Sequence, residues 1–246
     1  MDKKGLIGLA KGLMLSGFLV LSLGSCEQLF TTSLAPWAAR DPASLIPTVT
    51  ADNVTDLIDQ SANNPDQSMA LLDAIADAMA DASASEAAVL QAAALEAGSN
   101  SSGVATAIIS NAGNSLDTLD TLESDEIISL ISDAIADLSN LTGTATDLVS
   151  ILPDPSDTAA FDAFVAQATP EDLAMAAIVL LAAEAQADTG GVETYITDFD
   201  PEDLSLSPSE ALAVALAEAA ADSYAASGGT GQLVDILEGL HLTTNP

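Results

Sequence analysis

The sequence predicts an all-α fold, an irregular multi-helix bundle or a short α-solenoid, set behind an N-terminal leader and a proline-containing tether. Three observations predict it. The chain is 49% hydrophobic with a mean hydropathy of +0.36, enough for a core despite a formal charge of −33. Much of that apolar fraction is alanine and only 3% of residues are aromatic, which favours helix and buries little area per residue. From Thr50 onward, apolar residues recur at helical spacing between glycine and proline breaks.

The elements follow in order. Residues 51–62 read as a short helix closed by Asn63-Asn64-Pro65. Residues 66–82 place Met69, Leu72, Ile75 and Met79 on one face and Asp73, Asp77 and Asp81 opposite, each four residues apart. Ser85 is the expected cap of a helix over 86–97 that stops at Gly98, and Gly98–Gly103 reads as a flexible loop. A short helix over 104–112 follows, bounded by Gly113. Ser124 is the expected cap of a helix to about Leu141, with Ile127, Ile128, Ile131, Ile135 and Leu138 inward and Gly143 ending it. Residues 145–152 and 157–168 flank Pro153-Asp154-Pro155 as two more short helices. Thr169-Pro170-Glu171-Asp172 combines a cap, a proline at the first helical position and first-turn acids. The helix it starts, to about Asp188, is the most apolar segment and the expected buried centre. Val192–Phe199 is the one β-like run. Ser207-Pro208-Ser209-Glu210 opens a helix to about Ala226, and residues 232–240 form the last. The string DAIAD at 73–77 and 133–137, and the starts at Thr169 and Ser207, echo each other without establishing a repeat.

The N-terminus carries the most specific signal. Lys3, Lys4 and Lys11 precede the apolar run Leu13–Leu23, interrupted only by Ser16, Gly17 and Ser22. That is the length of a secretory signal peptide and short of a comfortable bilayer span. Leu23-Gly24-Ser25-Cys26 closes it, and Cys26 is the only cysteine. This pattern resembles a bacterial lipoprotein signal peptide with its lipobox. The resemblance implies cleavage before Cys26, acylation of Cys26 with palmitate-type chains, and a lipid-anchored protein of the cell envelope. Glu27, rather than the aspartate that resembles inner-membrane retention in enteric bacteria, leans toward the outer membrane or the periplasmic face. The expected organisation is a signal peptide over 1–25, a lipidated tether over 26–48 holding Pro36, Trp37, Arg40, Pro42 and Pro47, and an Ala/Asp-rich helical domain over 49–246.

Cleavage there removes three of the four Lys and Arg but only Asp2 of the 37 acidic residues, leaving Arg40 as the sole cation of its kind. A chain so charged cannot neutralise phosphates, so nucleic acid is excluded as a partner. Anionic lipid headgroups repel it, so the lipid on Cys26 must do the anchoring. The balance is halophilic-like, because self-repulsion is relieved only by screening.

Chemistry has few places to reside. His241 is the only histidine and sits near the C-terminus, where it reads as a surface or helix-end residue. Zinc needs more His or Cys than the chain supplies, and no cofactor is expected. Carboxylates at Asp198, Asp200, Glu202 and Asp203, and at Asp117, Asp120, Glu123, Asp125 and Glu126, are weak calcium candidates that lack the twelve-residue loop pattern. The expected function is therefore structural or interactive, without catalysis, through the membrane anchor and a basic protein partner. The alternatives are a helical-repeat periplasmic adaptor of a transporter or assembly complex, and a cation- or small-ligand-binding lipoprotein.

Overall fold

A computed structural model of the chain describes residues 41–112, 124–136, 138–227 and 232–243. The leader, Cys26, Trp37, Arg40, Asp117, Asp120 and Glu123 lie outside the described residues. The chain divides at Leu45/Ile46 into two units. In the first, residues 41–45 form a 3₁₀ turn, Pro42–Leu45, with Asp41 Oδ1 accepting the Ala43 N–H.

The second unit, from Ile46, is all-α, and eleven α-helices lie among its described residues. They are α1 Val54–Ser61, α2 Pro65–Met79, α3 Ala84–Ser102, α4 Val104–Ala112, α5 Ser124–Ile135 and α6 Leu141–Ile151. After these come α7 Thr158–Val165, α8 Pro170–Ala187, α9 Val192–Asp198, α10 Pro208–Ser227 and α11 Gln232–Gly239. Helix α8 is the axis. Its start is as the sequence predicts: the Thr169 hydroxyl accepts the Asp172 N–H and Pro170 occupies the first turn. Eleven of its residues are buried, Leu173, Ile178, Val179, Leu180 and Leu181 among them. A helix apolar all round must be surrounded, and α3, α4, α6, α9, α10 and α11 all touch it. In a solenoid each unit meets only its neighbours. Here α8 gathers helices from both ends of the unit, so the bundle alternative holds.

Several element boundaries differ from the sequence reading. Helix α3 does not stop at Gly98 but runs on to Ser102, where Gly103 takes the left-handed conformation (φ 74°). The serine-rich stretch is therefore buried helix rather than loop. Ser101 Oγ donates to the Gly98 carbonyl (3.1 Å) and, its proton so used, accepts from Thr144 Oγ1 (2.9 Å) on α6. Gly98 is there for close approach, since a Cβ at this position would lie 3.0 Å from Leu148 Cδ2. The cap of α3 is Ser83, not Ser85. Glu86 Oε2 accepts the Ser83 N–H (2.9 Å) and Ser83 provides the reciprocal half of the capping box.

The helix expected over 124–141 breaks into two. Helix α5 ends at Ile135 because Gln186 Nε2, from α8, donates to the carbonyls of Ile135 (3.2 Å) and Leu138 (3.0 Å). These are carbonyls that a continuing helix would have consumed. Gly143, expected as a stop, sits inside α6, where an added Cβ would meet Met69 Cε at an ordinary 3.5 Å. The expected inward face of α5 is found: Ile127, Ile128, Ile131 and Ile135 are buried.

The β-like run is the clearest correction. Val192–Asp198 is helix α9. No strand exists among the described residues to pair with it, and Val192, Tyr195, Ile196 and Phe199 fall at i, i+3, i+4 and i+7. That spacing lays Ile196, fully buried, against the core with Val192, Tyr195 and Phe199 half-buried beside it. Gly191, at φ 92°, turns the chain into this helix.

Candidate functional site

Of the predicted carboxylates, Asp198 ends α9, and Asp200, Glu202 and Asp203 sit on the connection from α9 to α10. Asp198, Asp200 and Asp203 line a cleft of about 300 Å³ together with Asp188, Tyr195 and Glu210. The cleft is held by a chain of hydrogen bonds. Tyr195 Oη donates to Glu210 Oε1. Glu210 also accepts the Ser207 N–H while its own N–H bonds Ser207 Oγ (3.1 Å), a second capping box, at the start of α10. Ser207 Oγ lies 3.3 Å from Glu184 Oε1 on α8. Burial, then the Glu210 carboxylate, hold the Tyr195 phenol far above its ordinary pKa, so it is a fixed donor rather than a nucleophile.

These acids do not converge on a cation position. Asp200 Oδ1 accepts the Glu202 N–H (2.9 Å), Asp203 Oδ1 the Ser205 N–H (2.8 Å), and Asp188 Oδ2 the Gly190 N–H (2.6 Å). Each spends an oxygen folding its own turn. Among the described residues no group of three or more His, Cys, Asp or Glu is arranged to hold a metal. Sequence reasoning counted these residues but could not foresee Tyr195 and Glu210, whose pairing depends on α9 being a helix.

His241 is exposed and adopts φ 58°. Its N–H donates to the Glu238 carbonyl (3.0 Å) and that of Leu242 to Leu237 (2.9 Å), the two bonds of a Schellman motif. Histidine thus occupies the left-handed position usually given to glycine, and Leu242, fully buried, packs beyond it. Its place is a helix terminus, as expected.

A second carboxylate group lies where α3 meets α8. Desolvation raises the Asp172 carboxyl; a Thr169 hydroxyl bond (2.6 Å) opposes the rise and the charge of Glu171 adds to it. Glu96 is raised likewise by desolvation, then by Asp172 and by Asp59 of α1. Burial and Glu171 push the Tyr224 phenol up to about 12. Asp147 is raised by burial and by Asp73. Arginine and lysine are absent among the described residues, so among those residues no ion pair to either relieves these acids.

Among the described residues no single helix is long and apolar enough to cross a membrane. Compared with protein-family models, with characterised proteins and with solved structures, the chain matches none.

Proposed function

We propose that this chain is a lipid-anchored, acidic helical protein of a bacterial envelope, held by acyl chains on Cys26, whose work is to engage a basic partner without catalysis. The observation that carries the reading is the charge distribution. Every Lys and Arg lies at or before Arg40, and from Asp41 onward the body bears acidic groups with neither residue to answer them. Like charges at this density repel one another, and a basic surface relieves that repulsion on contact. The basic, then apolar, N-terminus ending in Leu23-Gly24-Ser25-Cys26 supports the anchoring half. One chain would bind a membrane only reversibly, so two or more acyl chains are required.

The test is metabolic labelling with alkynyl palmitate in a bacterium that processes lipoproteins, followed by crosslinking of intact envelopes. Wild-type chain takes up label and sediments with membranes, while Cys26→Ser does neither. The crosslinked species carries a basic protein. A wild-type chain that stays unlabelled overturns the anchor, and crosslinks only to acidic or neutral proteins overturn the partner.

A further inference from the structure

Resting on the basic-partner reading, we infer that the partner docks in one particular groove, formed by residues 46–51 against the C-terminal half of α2, and presents an aliphatic side chain flanked by lysine or arginine. The groove encloses about 530 Å³, the largest of the clefts described. Its apolar lining comes from Ile46, Val49, Ala78 and Leu90. Val49 and Leu90 belong to the buried core and Ile46 and Ala78 pack on it, so the floor is rigid. The segment along its edge is fixed as well: Asn53 Nδ2 donates to the Thr48 carbonyl (2.9 Å) and Asn53 Oδ1 accepts the Thr50 N–H (2.8 Å).

Asp77 and Asp81 stand exposed on the groove, four positions apart. They belong to the acidic stripe visible in the sequence. What separates this groove from the cleft at α9 is the state of its acids. Asp188, Asp200 and Asp203 there are engaged by backbone N–H groups of their own turns. The carboxylates of Asp77 and Asp81 accept no hydrogen bond among the described residues, and the chain supplies neither Lys nor Arg from Asp41 on. The third cleft, lined by α6, α8 and the start of α10, has an apolar wall but only Glu184 as an acid. Asp198 is the one unengaged acid of the α9 cleft, and Glu86, the third acid of this groove, is held by Ser83. A pair of unengaged carboxylates beside an apolar floor is found only in the first of the three. A purely cationic partner would leave the floor wet, and a purely apolar one would desolvate two unpaired carboxylates. The occupant that satisfies both is cationic and amphipathic.

The probe is a fluorescein-labelled peptide of alternating leucine and lysine, with a serine–lysine peptide of the same charge as its comparison. Anisotropy is read against the full chain in neutral detergent at about 0.1 M NaCl, where the screening length is roughly 10 Å. The leucine peptide binds about fivefold or more tightly than the serine peptide. Asp77→Asn/Asp81→Asn weakens it by about fivefold, the effect of losing two exposed ion pairs. Asp133→Asn/Asp162→Asn removes the same charge from exposed sites outside the groove and leaves affinity within twofold. Circular dichroism confirms that both double variants are folded. If the two variants weaken binding equally, or the two peptides bind alike, the groove is overturned while a basic partner recognised by overall charge still stands. If neither peptide binds the wild-type chain, the basic-partner reading itself falls.

Discussion

Two glycines that look alike in the sequence have opposite roles at the level of single residues. Gly98 is buried in α3 under Leu148, with three side-chain atoms within 3.2 Å of where a Cβ would be. Leu148 is itself fully buried. Gly98→Val is expected to lower unfolding stability by about 1–3 kcal/mol through overpacking. Gly143 lies exposed inside α6, and its Cβ would meet Met69 Cε at 3.5 Å. Gly143→Ala is expected to raise stability by about 0.5–1 kcal/mol, because alanine loses less backbone freedom in a helix. Urea denaturation of both variants checks the pair. Composition presents both glycines as helix stops. Only the neighbour across the interface distinguishes a contact glycine from a tolerated one.

Helix ends depend on which polar groups reach the orphan backbone. Ser83 and Ser85 precede the same helix, and the sequence rule of a capping serine three residues before a glutamate selects Ser83. Ser83→Ala should cost about 1 kcal/mol and Ser85→Ala only a few tenths, read from thermal midpoints. Equal effects would return the cap to Ser85. Local signatures of this kind were legible where the partners lie within one turn, as at Thr169 and Ser207. The end of α5 was not legible, since Gln186 reaches it from 51 residues away. The helical state of α9 was half-legible. Its residues are β-formers by type, but their apolar spacing is helical, and with no strand among the described residues to pair with it the spacing prevails. The Tyr195–Glu210 contact that shapes the cleft was hidden by the same choice.

Across the whole molecule, uncompensated charge governs how stability responds to solution conditions. Asp172, Glu96 and Asp147 all have carboxyls raised above their ordinary range, by desolvation first and then by neighbouring acids. A raised carboxyl contributes stability that is complete below its unfolded pKa, near 4, and lost as pH rises through the folded value. Glu86, Asp154 and Asp203 are lowered by hydrogen bonds from Ser83, Ser156 and Ser205 and act in the opposite sense, losing their contribution only as pH falls below the ordinary range. The melting temperature is therefore expected to rise between pH 7 and about pH 5, and to rise with NaCl at pH 7. The salt effect should shrink as the pH is lowered, because the raised acids take up protons before ordinary carboxylates do. A midpoint that falls on mild acidification, or ignores salt, contradicts this account. Stability of this sort is a property of the sum, since no single pair carries it.

What the sequence determined by itself follows from local physics and composition. It set the all-α class, the start and burial of α8, the inward face of α5 and the anionic character of everything after Arg40. Periodicity, proline placement and charge need no partner to be read. What only the tertiary structure decided are the features that join distant segments. These are the run of α3 through Gly98 onto Leu148 and Thr144, the break after Ile135 made by Gln186, and a bundle around α8 in place of a stack. The groove that sets unengaged Asp77 and Asp81 beside an apolar floor belongs with them. The reason is that a helix's own hydrogen bonds fix its existence, whereas its limits and neighbours depend on which side chain arrives from elsewhere to satisfy its ends and cover its face.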